Sequence, residues 1–533
     1  MTYRILVSER VAEAGIDILR QGAEVDYRDG ISREELLDII GEYDALVVRS
    51  VTKVDEELIK KGLPRLKMVG RAGNGVDNIQ IDVCTRHGVI VANTPDSNTI
   101  SAAELTIGHI LASCRKLPQA TAFLKAGKWD RKPFRGMELF EKTVGIIGLG
   151  RIGSMVCLRL ASFGMKVIAY DPYIADERFD RFGAEKRNSL AELLAEADIV
   201  TVHTPRNEET MSLLGEKELA LCRDGVRVIN CARGGIINEK ALYAAIVSGK
   251  VASAGLDVYE EEPAVNNPLF ELPQVTLTPH LGADTLEAQE RVGTNIAENV
   301  LKALHGEIVP NIVNLPTMLP GELDFLRPYL ELVRRMGAVY YQLSKQPIDR
   351  VELMFGGEVS RSDTNMLTIA FLAGLLAPVM SEKVNFVNAR LMAEERGIKV
   401  YERKILERKR EPGSTGYSSV ISTHIYNRDG ITSMMGTLSG AKEPLIVQIN
   451  GYDTGLIPEG YVVMAENVDK PGVIGHFTTT LGNAGVNIGM MRAARKQGVN
   501  LMMINVDSKV TSDTVEKLKQ VDGVISVNAL YFK

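Results

Sequence analysis

A glycine-rich turn between a predicted strand and a predicted helix constrains the fold of this chain more than any other feature. The apolar run Val144–Ile147 predicts a buried strand. Gly148, Gly150 and Gly153 follow it in the spacing G-x-G-x-x-G. In such a turn the first glycine allows a tight bend, the second lets the backbone approach a pyrophosphate, and the third lets the helix pack on the strand. The segment therefore predicts a Rossmann-type site for a dinucleotide.

The end of the next predicted strand indicates which dinucleotide fits. Lys166–Tyr170 predicts that strand, and Asp171 follows it at about the 20-residue spacing expected for the acid that binds the adenosine ribose. The Asp171 carboxylate would accept hydrogen bonds from ribose hydroxyls and would repel a 2′-phosphate. The next residues are Pro172 and Tyr173, so no arginine stands there to receive that phosphate. We therefore expect NAD(H) to be preferred over NADP(H).

The first part of the chain alternates predicted strands and helices in two successive units. Its first apolar run, Tyr3–Ser8, predicts a strand, and Ser32 with Glu35 has the form of a capping box at a helix start. Ser101 with Glu104 has the same form before a predicted helix that ends near Arg115. This alternation predicts parallel sheets covered by helices on both faces. The expected fold class is α/β with two Rossmann-like, doubly wound lobes.

The pattern changes after residues 316–321, a Pro- and Gly-containing stretch that predicts a linker. Residues 322–455 mix helices and strands and carry no recognisable chemical motif. After a second break at 458–460, a βαββαβ pattern predicts a small ferredoxin-like domain. The expected domains are a substrate-binding lobe (1–98 and 284–314), a nucleotide-binding Rossmann domain (99–283), an α+β intervening domain (315–455) and a C-terminal regulatory domain (456–533).

Composition excludes several classes of protein. Apolar residues are 45% and charged residues 24% of the chain, which is ordinary for a globular protein and excludes a disordered one. The net charge of -6 excludes a broadly basic surface for nucleic acid. The longest apolar run, Leu367–Met380, is too short and interrupted for a membrane span, and the N-terminus does not have the form of a signal peptide. We expect a cytoplasmic protein with no nucleic-acid or membrane partner. Its five widely spaced cysteines predict neither disulfides nor a metal site.

Three polar groups that suit dehydrogenase chemistry follow predicted strands in the second unit. Arg233 lies in the turn ARGG, Glu262 in a carboxylate cluster after Asp257, and His280 in the turn TPHLGA. Ligands bind at the carboxyl ends of parallel strands, so we expect these side chains to meet. A histidine beside a carboxylate can take up a proton, and an arginine offers a planar fork to a substrate carboxylate.

Five motifs resemble those of the D-isomer-specific 2-hydroxyacid dehydrogenases: RAGNGVDN (Arg71–Asn78), GLGRIG, ARGG, LDVYEEEP and PHLGA. The resemblance covers residues 3–314. It implies that His280 is the acid/base, that Glu262 orients it and stabilises its protonated form, and that Arg233 binds the substrate carboxylate and carbonyl. It also implies a set of residues around the NAD cofactor: Gly148, Gly150, Arg151, Ile152, Gly153, Asp171, Asn74, Thr204, Cys231, Ala232, Asp257, Gly282 and Ala283.

The C-terminal domain resembles an ACT domain, a small amino-acid-sensing module, in the runs that begin at Met464 and Gly485. Two lobes followed by an intervening and an ACT domain are the layout of long-form family members that oxidise 3-phospho-D-glycerate to 3-phosphohydroxypyruvate on the route to L-serine. The resemblance implies L-serine as an effector, with Asn467, Asp469 and Asn487 as its ligand residues. It also implies a homo-oligomer, a tetramer.

A phosphorylated substrate needs cations besides the one that holds its carboxylate. The resemblance places Arg49 and Arg71 on the phosphate side, with donors from Asn74 and Gly75 nearby. It also places the segment around Trp129 against the neighbouring subunit's site, which makes the following basic residues candidates for substrate binding: Arg131 and Lys132. For these two, a solvated basic surface is an equally open interpretation.

Two other functions stay open at this level. A dehydrogenase for an unphosphorylated acid, such as glyoxylate or lactate, would need neither the pair Arg49 and Arg71 nor the C-terminal domain. A non-catalytic regulator that senses NAD(H) could use the same fold, because a fold does not determine function. The complete set Arg233, Glu262 and His280 favours an enzyme.

Overall fold

The computed structural model describes residues 2–309, 311–316, 320–344, 346–380, 383–405 and 417–532. The predicted linker at 316–321 lies partly outside these residues. The described chain forms four β-sheets, two of them parallel and flanked by helices, which confirms the α/β class.

The first lobe is built on a five-stranded parallel sheet. Its strands are β1 (Tyr3–Val7), β2 (Ala23–Tyr27), β3 (Ala45–Val48), β4 (Met68–Arg71) and β5 (Ile90–Ala92), in the spatial order β2-β1-β3-β4-β5. Its helices are α1 (Glu13–Gly22), α2 (Arg33–Ile39), α3 (Glu56–Gly62) and α4 (Ile81–Arg86). The predicted cap of α2 is confirmed, because the Ser32 side chain accepts a hydrogen bond from Glu35 N at 3.2 Å.

The second lobe is built on a seven-stranded parallel sheet. Its helices are α5 (Thr99–Arg115), α6 (Leu117–Lys125), α7 (Arg151–Ser162), α8 (Asp176–Phe182), α9 (Leu190–Glu196), α10 (Glu216–Leu221) and α11 (Glu239–Val247). Its strands are β6 (Thr143–Ile147), β7 (Lys166–Tyr170), β8 (Glu185–Lys186), β9 (Ile199–Val202), β10 (Val226–Asn230), β11 (Val251–Leu256) and β12 (Val275–Leu277), in the order β12-β11-β10-β9-β6-β7-β8. The order reverses direction at β6, which opens a ligand crevice at the carboxyl ends of β6 and β9.

The predicted capping box at Ser101 and Glu104 is wrong. Helix α5 begins at Thr99, so Ser101 lies inside its first turn. The Ser101 hydroxyl donates back to Asn98 O at 3.0 Å instead of capping a backbone N–H. The chain returns to the first lobe through α12 (Leu286–Leu304), where Gly293 and Gly15 of α1 let the two helices approach closely.

The third sheet contains both parallel and antiparallel strand pairs, and one long helix packs against it. Helices α13 (Pro320–Leu343), α14 (Asn365–Leu376) and α15 (Ala389–Glu395) accompany β13 (Ile348–Gly357), β14 (Lys399–Ile405), β15 (Ser419–Asn427), β16 (Gly430–Leu438), β17 (Pro444–Ile449) and β18 (Tyr452–Leu456). Most of the apolar run Leu367–Met380 forms α14, which is buried against α13. Among the described residues, no helix is long and apolar enough to cross a membrane.

The C-terminal sheet is antiparallel in the order β20-β21-β19-β22. Its elements are β19 (Gly460–Val468), α16 (Val473–Asn483), β20 (Ile488–Lys496), β21 (Val499–Val506), α17 (Ser512–Lys519) and β22 (Val524–Phe532). The predicted βαββαβ arrangement is therefore confirmed.

Candidate active site

Three neighbouring strands of the second lobe end at the same edge of their sheet. β10, β11 and β12 are parallel and hydrogen-bonded in that order. Arg233 comes shortly after β10, Asp257 directly after β11 and His280 shortly after β12. The topology thus places at one edge residues that are far apart in the chain.

His280 and Glu262 form a hydrogen-bonded pair at this edge. Nδ1 of His280 lies 2.7 Å from Oε2 of Glu262, and Oε1 of Glu262 accepts a hydrogen bond from Tyr259 N at 3.0 Å. The hydrogen bond to Glu262 raises the pKa of His280, against an opposing effect of burial. Burial alone would raise the pKa of Glu262, but its bonds to His280 and Tyr259 lower that pKa overall. Because Nδ1 is engaged, Nε2 is the nitrogen of His280 that can act on a substrate.

Asp257 anchors the turn that carries His280. The φ angle of His280 is 57°, a left-handed conformation that costs about 1–3 kcal/mol for residues other than glycine. The Asp257 carbonyl accepts from His280 N at 2.9 Å, and its carboxylate accepts from Leu281 N at 2.7 Å and Gly282 N at 2.9 Å. Asp257 is fully buried. The structure thus gives it a holding role, and its contact with nicotinamide stays a prediction.

Arg233 reaches from the second lobe to the first. Its Nη1 donates to Ala232 O at 2.7 Å, and its Nε lies 3.5 Å from Oδ2 of Asp77. A Cβ added to Gly75 would lie 2.5 Å from Nη2 of Arg233, so the guanidinium packs directly on the glycine backbone. The positive charge of Arg233 also acts to lower the pKa of His280, so the two groups face one cleft.

Arg71 and Arg49 line the first-lobe side of the same cleft. A Cβ added to Gly73 would overlap Nη1 of Arg71, and Gly73 is two residues from Gly75, where Arg233 packs. Burial lowers the pKa of Arg71 to about 10, and the positive charges of Arg49 and Arg233 add to that effect. Nε of Arg71 is buried without a hydrogen-bond partner among the described residues. Crowded guanidinium groups with a free buried donor indicate a site for an anion.

Glu9 holds the backbone next to Arg49, a contact that the sequence analysis missed. Its carboxylate accepts hydrogen bonds from Arg49 N at 2.8 Å, Thr52 N at 2.9 Å and Val51 N at 3.1 Å. Burial raises the pKa of Glu9, but these backbone bonds lower it overall. On the other side, Asn78 Nδ2 donates to Arg49 O at 2.8 Å. The carboxylate stabilises the turn, and the guanidinium of Arg49 makes one long hydrogen bond, from Nη1 to Arg10 O at 3.4 Å.

The glycine-rich turn has the geometry that a dinucleotide requires. Gly148 has a φ of 90°, and a Cβ there would lie 2.8 Å from His203 O. A Cβ on Gly153 would overlap Gly148 O, so only glycine allows α7 to pack this closely. No atom lies within 4 Å of a Cβ built on Gly150. This open space beside the N-terminus of α7 suits a pyrophosphate.

Polar groups at the crevice also fit the cofactor. Asp171 accepts from Leu149 N and Tyr173 N, both at 3.0 Å, which holds its carboxylate beside the glycine-rich turn. Thr204 follows β9, and its buried hydroxyl has no partner among the described residues. An unpaired buried hydroxyl at a switch point indicates a ligand that is to be hydrogen-bonded there.

The other residues predicted to contact the cofactor differ in accessibility. Cys231 and Ala232 are buried at the end of β10, and burial raises the pKa of the Cys231 thiol. Ile152 is half-buried in the first turn of α7. Arg151 is exposed and its Nε lies 2.6 Å from Oδ1 of Asp96.

The backbone of two predicted contact segments is held by side-chain amides. The Asn74 carbonyl accepts from Asn93 Nδ2 at 2.6 Å, which fixes the segment that includes Gly75. The Ala283 carbonyl accepts from Gln289 Nε2 at 2.8 Å at the start of α12. Both segments border the cleft between the lobes.

Trp129, Arg131 and Lys132 lie on the surface of the second lobe. Trp129 is 90% exposed, and both basic residues are exposed beside it. No described contact joins them to the cleft of the same chain, so their substrate role stays a prediction.

The three predicted regulatory residues do not meet within one chain. Asn467 is buried near the end of β19, where it pairs with Asn500, and Asp469 follows on the same side. Asn487 lies at the opposite end of the sheet, where its Nδ2 donates to Asp507 Oδ2 at 2.6 Å. The six strand residues between the two ends correspond to about 20 Å. The sequence motifs identified these residues as candidates. Their separation in space follows from the strand register, which the motifs do not contain.

The chain matches three family descriptions in order. They are the NAD binding domain of D-isomer specific 2-hydroxyacid dehydrogenases over residues 107–282, the D-3-phosphoglycerate dehydrogenase intervening domain over 325–450, and the ACT domain over 461–523. The solved glyoxylate reductase of Paecilomyes thermophila is 32% identical with a TM-score of 0.54, and the match covers 60% of this chain and 99% of that one.

Two relatives match over almost their whole length. A protein of Methanocaldococcus jannaschii named D-3-phosphoglycerate dehydrogenase is 42% identical over 526 residues, which are 98% of this chain and 99% of that protein. A protein of the same name from Bacillus subtilis is 40% identical and covers 99% of both chains. This similarity spans both lobes, the intervening domain and the ACT domain, so the chain belongs to the D-3-phosphoglycerate dehydrogenase family.

Proposed function

We propose that this protein catalyses the NAD-dependent oxidation of 3-phospho-D-glycerate to 3-phosphohydroxypyruvate, the first step of the phosphorylated route to L-serine. The convergence of Arg49, Arg71 and Arg233 on the cleft of His280 carries the proposal. One guanidinium suffices for the carboxylate of a simple hydroxy acid, and the other two match a phosphate. An enzyme for glyoxylate or lactate would have no use for this excess of positive charge.

The polar groups of the cleft divide the reaction among them. Bound NAD supplies the acceptor for the hydride from C2 of the substrate. Nε2 of His280 takes the hydroxyl proton, and Glu262 stabilises the imidazolium that results. Arg233 holds the substrate carboxylate and polarises the developing carbonyl. The left-handed turn at His280 and its anchor Asp257 keep the acceptor nitrogen aimed into the cleft.

A substrate comparison tests the reaction. We expect NADH formation with 3-phospho-D-glycerate and little with D-glycerate or D-lactate. Arg49→Gln should raise KM for the phosphorylated acid about 10–100-fold, the effect of losing a charge-assisted hydrogen bond, and should leave D-glycerate turnover unchanged. Equal effects on both acids would place Arg49 outside the phosphate site. NADH binding without turnover of any acid would favour a non-catalytic NAD(H) sensor.

The pH profile should report the pair of His280 and Glu262. Oxidation needs a neutral His280, and Glu262 raises the pKa of His280 above its ordinary value of about 6.5. We therefore expect kcat/KM for oxidation to rise with pH through a midpoint above about 6.5. Glu262→Gln removes the anion, so the midpoint should move to lower pH and the plateau should fall. A midpoint that stays in place or rises would contradict the pairing.

Cofactor preference should depend on Asp171. Wild-type enzyme should prefer NAD to NADP in kcat/KM. Asp171→Asn should narrow that preference about tenfold or more, because a carboxylate facing a 2′-phosphate costs several kcal/mol. Asp176→Asn is the matched control, since Asp176 lies on α8 and pairs with Lys186 at 2.5 Å on the surface. If the ratio of kcat/KM for NAD to that for NADP did not change in Asp171→Asn, another residue would have to set the cofactor preference.

L-Serine is the effector that the ACT domain would bind. Asp469 offers a carboxylate to its ammonium group, and the buried carbonyl oxygens of Asn467 and Asn500 have no partner among the described residues. Because Asn487 lies at the other end of the sheet, a site that contains all three predicted residues needs an ACT domain from a second chain. Inhibition of the oxidation by L-serine, and its loss in Asn487→Ala, would support this arrangement. Turnover that L-serine does not change would support the proposed reaction and contradict the assignment of L-serine as its effector.

The second lobe also has a face that suits contact with a second copy of the chain. Large apolar side chains are exposed on and around α5, α6 and α7, a density that is unusual for a surface facing water: Ile100, Leu117, Leu124, Trp129, Phe140, Leu158 and Phe163. A cavity of about 350 Å³ between α5 and α7 lies on this face. We assign this face to contact with a second copy and expect a tetramer by light scattering.

The five buried free cysteines suit the reducing cytoplasm, where we place the enzyme.

A further inference from the structure

His109 is a buried histidine that the reaction described above does not use. It lies on α5 and is only 2% exposed. Its Nε2 is 2.8 Å from Oγ1 of Thr278, the residue two positions before His280. The ring of this α5 residue therefore touches the turn that carries the acid/base.

The directions of the hydrogen bonds around Thr278 can be assigned from the geometry. Oδ1 of Asp257 accepts from Leu281 N at 2.7 Å and lies 2.6 Å from Oγ1 of Thr278, so the threonine hydroxyl donates to it. A hydroxyl has one proton, so Oγ1 must accept from Nε2–H of His109. The proton of the neutral ring is thus on Nε2. Nδ1 is buried and has no partner among the described residues.

The surroundings of His109 keep its ring neutral and fixed. Burial lowers its pKa, and the charge of Asp257 offsets this only in part. A Cβ added to Gly255 of β11 would lie 2.9 Å from Cβ and 3.0 Å from Nδ1 of His109. The glycine makes the space that the ring fills, so the imidazole is held between β11 and the turn.

We propose that His109 is a positioning residue for the catalytic turn of this dehydrogenase. It donates to Thr278, Thr278 donates to Asp257, and Asp257 holds the backbone of His280 and the two residues after it. This chain of bonds fixes the direction of Nε2 of His280, which a strained backbone alone would leave less well defined. The inference rests on the proposed function only in that His280 is the acid/base.

The decisive comparison is between His109→Leu and His109→Gln. Both fill the space, but only glutamine keeps an N–H donor for Thr278. A shift of the reacting groups by about 1 Å can lower the rate about 100-fold. Loss of the hydrogen bond from His109 should shift His280 by less than that, so we expect His109→Leu to lower kcat about tenfold. KM and the dissociation constant of NADH should not change. His109→Gln should recover most of kcat.

Thr278 provides a second test, in which the comparison of Thr278→Val with Thr278→Ser does not depend on how His109→Leu folds. Thr278→Val should lower kcat as His109→Leu does, and Thr278→Ser should restore it. The double variant with His109→Leu should be no worse than the poorer single variant, because both break the same chain of bonds. Melting temperatures of all variants separate a packing loss from a positioning loss.

Several results would overturn the proposal. They are additive effects in the double variant, equal kcat losses in His109→Leu and His109→Gln, and kcat values that follow the melting temperature alone. Failure of the proposed substrate is a separate result. If wild-type enzyme oxidises a different 2-hydroxy acid, the same variants are compared on that acid and the same criteria apply.

Discussion

Replacing His280 by glutamine should lower kcat for the oxidation by about 10²–10⁴-fold, the usual contribution of a positioned general base. Nε2 of His280 is the nitrogen left free by the 2.7 Å contact of Nδ1 with Glu262. Glutamine can occupy the same turn but cannot accept a proton. The NADH dissociation constant should stay the same, because the cofactor residues are in place without the imidazole.

The measurement is single-turnover NADH formation alongside NADH binding by fluorescence. His305→Gln is a matched control, because His305 is exposed at the end of α12, where its Nδ1 lies 2.7 Å from Leu301 O. That variant should keep wild-type turnover. If His280→Gln retained most of the wild-type kcat, the proton acceptor would have to be another group of the cleft.

Local patterns predicted the parts of the molecule whose chemistry is local. The turn from Gly148 to Gly153 could be predicted from its own spacing, because the three glycines allow the bend, the approach of a ligand and the packing of the helix on the strand. The βαββαβ pattern of the C-terminal domain was readable for the same reason. The meeting of His280 and Glu262 also follows from neighbouring strand ends, so a short motif and the topology of a parallel sheet were enough.

Contacts between distant segments could not be predicted in this way. Nε2 of His109 contacts Thr278 across 169 positions of sequence, and nothing near His109 distinguishes it from an ordinary core residue. Glu9 likewise acts on Arg49 only because β1 and β3 are adjacent. The S-x-x-E run at Ser101 was misleading, because the same letters also fit the interior of a helix whose start is set by packing.

The distance between the predicted regulatory residues also could not be predicted from local patterns, because it depends on the strand register. The runs around Asn467 and Asn487 predicted polar ligand groups, a role that stays a prediction, but they did not predict how far apart these residues lie in the sheet. Pairing of Tyr461 with Val506 and of Asn467 with Asn500 places them at opposite ends. One chain therefore holds the three residues in two separate places, and the L-serine site that we propose needs two ACT domains.

Arg233→Gln should lower kcat/KM about 10²–10³-fold, the usual cost of removing a donor aimed at a developing oxyanion. Its guanidinium lies against Gly75 and within 3.5 Å of Asp77, so it meets a substrate from the cleft between the lobes. Arg233→Lys should recover only part of the loss, because an ammonium cannot reproduce the planar fork. Arg223→Gln is the matched control, since Arg223 pairs with Asp198 at 3.0 Å away from the cleft.

The role of Arg233 can be identified from how the loss of kcat/KM in Arg233→Gln divides between kcat and KM. If Arg233 only held the ground-state carboxylate, Arg233→Gln would raise KM and leave kcat unchanged. A group that also polarises the carbonyl forming at C2 lowers kcat as well, because that interaction strengthens as the hydroxyl loses its proton to His280. We expect both to change, with kcat carrying the larger part. A pure KM effect would assign polarisation of the carbonyl to another donor and leave Arg233 as the carboxylate-binding residue.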